Sequence, residues 1–234
     1  MISALNASNW VQRWETQQER YVADREERFA VICDVVDSVV SGTDEPLVLD
    51  LGCGPGSLSA RVAGRIPGAR VIGVDADPLL VTLARVGAPA TSRFVEADLG
   101  NAAWVDALGL PSNAGTVDAA VSTTALHWLP ESQLAALYRD LAMLLRPGGV
   151  LANGDYLQED QPTMADLAGA VRAGRARRHG VPNNEDLTGW WDAARADAEL
   201  GPLVTANRKA DRGAHDHHRN GLSLRRHAEL LIEA

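Results

Sequence analysis

The apolar positions of this chain change period along its length. Between about Asn9 and Ser41 they recur every three or four residues, with no proline or glycine to interrupt. Phe29, Ile32, Cys33, Val36 and Val40 form one stripe, and Trp10, Trp14 and Tyr21 are spaced for a similar face upstream. That spacing predicts one long helix or two shorter ones turned toward a core. Gly42 to Pro46 ends the pattern. Short apolar runs of strand length then alternate with helical segments. Strands are expected at Leu47–Leu51, Arg70–Asp75, Arg93–Glu96, Thr116–Ser122 and Val150–Asp155, and helices near Ser57–Arg65, after Asp77-Pro78 and over Glu131–Leu145. Asp77 can cap free amides and Pro78 suits a first helical turn. Pro147-Gly148-Gly149 stops the last of these helices. Strands separated by helices imply an α/β architecture with a doubly wound, mostly parallel sheet and right-handed crossovers, with ligands beyond the carboxyl ends of the strands. From Tyr156 to about Arg219 the strand signal vanishes, and the stretch reads as helices broken at Gly180–Asn184. The expected organisation is an N-terminal helical lid (1–45), an α/β core (46–156), an inserted helical cap (157–220) and a C-terminal helix of the core (221–234).

Composition narrows this further. A length of 234 residues suits one domain with an insertion, and 46% hydrophobic residues argue for a buried core. A net charge of −9 disfavours nucleic acid, whose phosphates need concentrated Lys and Arg. The local exception, Arg172, Arg175, Arg177 and Arg178, reads as a solvated helix face, or more sharply as a contact for an anionic substrate. Cys33 and Cys53 offer no disulfide framework, which fits a reducing cytoplasm. No apolar run reaches the roughly 18 residues of a membrane span, and no signal peptide is expected before the first helix.

The chemistry concentrates at strand ends. Residues 48–56 read Val-Leu-Asp-Leu-Gly-Cys-Gly-Pro-Gly, a buried strand closing on an acid and running into a turn of alternate glycines. Gly52, Gly54 and Gly56 allow positive φ and close approach of backbone to a ligand. The spacing matches neither the P-loop nor the dinucleotide fingerprint, so a nicotinamide-dependent oxidoreductase is not expected. Asp75 ends the second strand about twenty residues later, where its carboxylate can accept from both hydroxyls of a ribose. Asp50 stands either to orient the loop amides or to meet a cationic group on the ligand. Cys53 is expected to contribute backbone rather than a reactive thiol, since nothing near it in sequence would activate it.

Asp-x-Gly-x-Gly-x-Gly over residues 50–56, Asp75, Glu96-Ala-Asp98-Leu99 and Leu145-Arg-Pro-Gly-Gly-Val-Leu151 occur in that order. Together they resemble the class I S-adenosylmethionine (SAM)-dependent methyltransferases over roughly residues 45–156. The Ala-Leu-His127-Trp stretch and the aromatic N-terminal helix are similar to the small-molecule group around trans-aconitate methyltransferase. The resemblance implies a Rossmann-like fold and SAM as cofactor, leaving as S-adenosylhomocysteine. It implies a loop (Asp50, Gly52, Cys53, Gly54) around the methionine end, Asp75 and Ala76 at the ribose, Asp98 accepting from the adenine amine, and Leu99 packed on the ring. Thr123 joins them at the end of the fourth strand, where the family transfers the methyl group. Tyr21 and Arg25 belong to a helix that acts as a lid in related enzymes. No Asn/Asp-Pro-Pro-Tyr motif follows the fourth strand, so DNA adenine and glutamine acceptors are not expected.

His127 is the candidate base, against the plainer reading of a structural histidine beside Trp128. His215, Asp216, His217 and His218 suggest a metal, but residues two apart rarely converge on one ion, and none is expected. Trp104, Trp190 and Trp191 could form an acceptor pocket or, more simply, anchor the cap. The family ends in an antiparallel hairpin that this sequence does not display after Leu222–Glu233. The fifth strand would then be an open edge, and three explanations stay open: a truncated chain, a second copy or another protein that covers the edge, or a protein that evolved without the hairpin. The expected activity is methyl transfer to a small molecule, at oxygen ahead of nitrogen or carbon. The alternative is a SAM-binding module, or a degenerate partner subunit, without turnover.

Overall fold

The computed structural model describes residues 2–22, 24–110, 115–206 and 220–234. The N-terminal stripe resolves into two helices, α1 (Ala4–Glu19) and α2 (Arg25–Val40). The alternating region follows as β1 (Leu47–Leu51), α3 (Ser57–Arg65), β2 (Arg70–Asp75), α4 (Pro78–Val86) and β3 (Ser92–Glu96). Then come α5 (Trp104–Ala107), β4 (Val117–Thr123), a 3₁₀ turn at Leu126–Trp128, α6 (Glu131–Leu144) and β5 (Leu145–Gly154). Beyond the sheet lie α7 (Pro162–Arg178), a 3₁₀ turn at Val181–Asn183, α8 (Leu187–Ala196), α9 (Gly201–Ala206) and α10 (Leu224–Ile232). Asp77 caps α4 as its position suggests, accepting from Leu79 N at 2.9 Å and Leu80 N at 3.0 Å.

The five strands are all parallel in the order β3-β2-β1-β4-β5. Side chains alternate across the sheet. Leu47, Leu49 and Leu51 join the core under α6 and α10, while Val48 joins Phe29, Ile32, Cys33, Val36 and Val40 of α2 on the other face. Each full burial of such a side chain stabilises by about 1.5–3 kcal/mol. A third cluster ties α1 to α4 and α8 through Trp10, Leu79, Leu83 and Trp190.

Two sequence expectations need correction. The fifth strand begins at Leu145 rather than Val150, because Leu145 pairs with Val117 before the Pro147-Gly148-Gly149 turn bulges out and pairing resumes at Ala119–Val150. Trp104 is no acceptor wall: it is buried in the core beneath α6 and donates Nε1–H to Asp140 at 2.8 Å. Among the described residues no strand pairs with the outer edge of β5, and a groove of about 510 Å³ runs between that edge and α2. No described helix is long and apolar enough to cross a membrane. The His215–His218 cluster lies outside the described residues.

Candidate functional site

The carboxyl ends of β1, β2 and β4 open into one cavity of about 790 Å³. Its floor is the turn after β1. Gly52 N and Cys53 N both donate to Val74 O, at 2.8 and 3.0 Å, which binds the turn to the adjacent strand. Gly52 has φ of +69°, and a Cβ added there would sit 2.3 Å from that of Ala125, so only glycine fits. Ser57 opens α3 just beyond and lines the cavity, and its buried Oγ holds no hydrogen-bond partner among the described residues.

Two carboxylates stand at this floor. Asp50 is buried and accepts from Ser59 Oγ at 2.6 Å. Asp75 accepts from Gly54 N at 2.8 Å and from Asp77 N at 2.9 Å, one bond to each oxygen. Both line the cavity, and each is pushed up to about 6, chiefly by burial, against the pull of those hydrogen bonds. A carboxylate has lone pairs for about four hydrogen bonds, so Asp75 keeps acceptor capacity for a ligand diol. Asp50 thus braces helix α3 through the Ser59 hydroxyl rather than through the loop amides, and it lines the cavity.

Other sequence-designated residues gather here. Cys53, Gly54, Ala76 and Thr123 line the cavity. The Cys53 thiol is raised well above its ordinary pKa by burial and by the two nearby aspartates, which makes it unreactive. Thr123 Oγ1 donates to Gly154 O at 3.1 Å, joining the ends of β4 and β5. Tyr21, on the turn after α1, and Arg25, the first residue of α2, also line it. Arg25 is paired with Glu15 and lies over the Phe29 ring at 4.5 Å; burial and the neighbouring Arg61 lower its pKa to about 10. Asp98 and Leu99 stand apart. Asp98 is exposed with Oδ1 accepting the Gly100 N–H at 3.0 Å, Leu99 packs against the main core, and neither lines the cavity.

His127 is buried and lines the cavity, with Nδ1 2.6 Å from Asp155 Oδ1. Asp155 follows β5 and drew no attention in the sequence, because nothing local marks a carboxylate 28 residues away as the partner of a histidine. Thr124 was missed too. Its φ of +52° is strained for a β-branched residue, and it turns the chain from β4 into the cavity wall. Trp14, Trp128, Tyr156, Leu187 and Trp191 supply an apolar wall from four separate segments. Trp190, by contrast, is wholly buried against Trp10 and Trp14 as an anchor for α8.

Comparison with known proteins fits this geometry. Residues 48–149 match the family model described as a methyltransferase domain. Over 150 residues the chain is 35% identical to the trans-aconitate 2-methyltransferase of Azoarcus sp. (strain BH72), covering 64% of this chain and 53% of that protein. This chain contains a class I SAM-dependent methyltransferase domain. A trans-aconitate 2-methyltransferase of Escherichia coli is 40% identical to this chain over 105 residues, covering 45% of this chain and 37% of that protein. The chain therefore spans about half or less of the length of the curated relatives it matches. Streptomyces venezuelae DesVI shares the fold, with 18% identity, a TM-score of 0.50 and coverage of 66% of this chain and 59% of that one.

The residues present fit SAM. The glycine cradle excludes any Cβ at Gly52, the orphaned Ser57 Oγ awaits a partner, and two enclosed carboxylates suit a ligand carrying cationic sulfur and ammonium.

Proposed function

We propose that this protein transfers a methyl group from SAM to a small-molecule acceptor, at oxygen. The observation that carries the reading is the shared cavity, in which Asp75 and the glycine turn stand together with His127 and an aromatic wall. When bound, SAM supplies a methyl group already made electrophilic by its sulfonium. Asp75 would accept from the ribose hydroxyls, and the Gly52–Gly54 turn, whose own amides are bonded to Val74 and Asp75, would pack its Cβ-free backbone against the methionine end beside Ser57. Asp50 keeps negative charge beside the cationic part. Asp98 and Leu99, which follow β3 beside Asp75 but lie outside the cavity lining, would take the adenine if the site extends that way. Tyr21 and Arg25 close over the cavity from the N-terminal helices and exclude water. His127 acts as general base for an acceptor held in line with the methyl group.

The names of the curated relatives support a small metabolite as acceptor, and two free, buried cysteines support a reducing cytoplasmic setting. The test is methyl transfer from methyl-labelled SAM to a panel of small acceptors, read as labelled product and S-adenosylhomocysteine. Turnover with any of them meets the expectation. Saturable SAM binding without turnover across the panel favours the second reading, a SAM-binding module.

A further inference from the structure

The His127–Asp155 contact is more fully built than an incidental ion pair. The Asp155 side chain is 1% exposed. Its Oδ1 lies 2.6 Å from His127 Nδ1 and accepts the Tyr156 N–H at 2.7 Å, while Oδ2 accepts the His127 backbone N–H at 3.0 Å. Burial pushes the Asp155 pKa up, but the ring and amide hydrogen bonds outweigh it and hold the group below the usual carboxylate range. An ionised carboxylate only accepts, so the hydrogen of the neutral imidazole sits on Nδ1 and the lone pair on Nε2. No described residue bonds Nε2, and the ring borders the cavity between Trp128 and Tyr156, at 4.8 and 5.7 Å between centroids. The next titratable neighbours are Tyr138 and His227, joined at 2.7 Å, both of which feel the Asp155 charge.

A second observation concerns charge. Among the described lining residues the guanidiniums are Arg20 and Arg25, and Arg25 is paired with an acid. Arg20 donates to the carbonyls of Pro182 and Asn184 at 2.6 and 2.8 Å, and Arg25 pairs with Glu15. Against them stand Asp50, Asp75, Asp77 and Asp186. With Asp50 and Asp75 facing the cofactor, Asp77 and Asp186 still stand against Arg20 alone among the described lining residues, so a polycarboxylate would find one unpaired guanidinium and a surplus of negative charge. A carboxylate acceptor is also ionised at neutral pH and needs no base, whereas a hydroxyl must lose a proton.

We propose that Asp155 is a positioning residue that fixes His127 with its proton on Nδ1, so that Nε2 deprotonates an uncharged hydroxyl acceptor, the class of compound this site methylates. The proposal rests on the methyltransferase reading above. In the step the acceptor O–H bond breaks and its proton passes to Nε2. The oxygen bonds the methyl carbon, and the carbon–sulfur bond breaks with its electron pair kept by sulfur. Asp155 stays ionised and stabilises the imidazolium that forms.

Two experiments decide it. Nitrogen-15 NMR of the ligand-free protein should show His127 as the Nδ1–H tautomer, and Asp155→Asn should abolish that fixed state. Transfer from methyl-labelled SAM should favour uncharged phenols and alcohols over trans-aconitate. With the best of them Asp155→Asn should lower kcat about tenfold or more with KM changed less than about twofold, and shift the acidic limb of the pH profile to lower pH. His127→Gln should remove that limb. A wild-type Nε2–H tautomer, an unaltered pH profile in Asp155→Asn, or trans-aconitate as the better acceptor overturns the proposal, as does the absence of turnover with every uncharged hydroxyl. Should Asp155→Asn fail to fold, the wild-type NMR, the acceptor ranking and His127→Gln carry the test. SAM titration separates the levels: if SAM does not bind, the underlying reading fails, whereas binding with any of the overturning results removes this proposal alone.

Discussion

Asp75 shows how one side chain serves both fold and ligand. Its oxygens already hold the Gly54 and Asp77 amides, so its loss frees the glycine turn as well as a ligand contact. Asp75→Ala is therefore expected to weaken SAM binding by about 1.5–3 kcal/mol, the scale of charge-assisted hydrogen bonds, measured by calorimetry. Asp50 makes the opposite trade. Burial lifts its pKa from 3.8 to about 6, so between these values the folded protein holds a proton that the unfolded chain releases. Stability must then fall as pH rises through that window, and the penalty is fully present above it. Asp50→Asn keeps an oxygen for Ser59 and removes the penalty. Thermal denaturation should show it stabilising the ligand-free protein by about 3 kcal/mol at pH 7 and by less than about 1 kcal/mol at pH 4. Residues whose role is local, such as Asp75 at a strand end and Asp77 as a cap, were legible in the sequence. Asp155 was not, because its meaning lies in a contact with His127 that only the sheet creates.

At the scale of elements, the turn after β1 is held from three sides: by Val74 O, by Asp75, and by Ala125 closing over Gly52. Gly52→Ala forces a Cβ into Ala125 and a side chain into positive φ. It should cost about 2 kcal/mol or more in stability and abolish SAM binding, read by denaturation and calorimetry together. Strands β1 to β4 and helices α3 and α6 followed from periodicity to within a residue or two, since short apolar runs bounded by glycine and proline have few alternative readings, whereas the four-residue α5 is too short to show a period. The early start of β5 was hidden by Pro147-Gly148-Gly149, which signals a stop in sequence and is a bulge in space. The division of the N-terminal stripe into α1 and α2 was likewise left open, because no glycine or proline marks the break at residues 20–24.

At the scale of the molecule, the order β3-β2-β1-β4-β5 places the turn, Asp75 and His127 around one opening, with α1 and α8 holding the aromatic wall. That convergence was foreseeable from the topology, but the wall was not, since its residues come from distant segments with no shared motif. The two enclosed carboxylates also give the cavity a pH signature. Both titrate near 6 without ligand, so a cationic ligand should bind more weakly as pH falls below that value, with affinity dropping about tenfold per pH unit once one carboxylate is protonated in the free protein and ionised in the complex. The most direct test is calorimetric titration of the intact chain with SAM at pH 7.5 and 5. Saturable one-to-one binding that weakens at the lower pH and is reduced tenfold or more by Asp75→Ala is the predicted result; no binding, or binding indifferent to Asp75, contradicts the account.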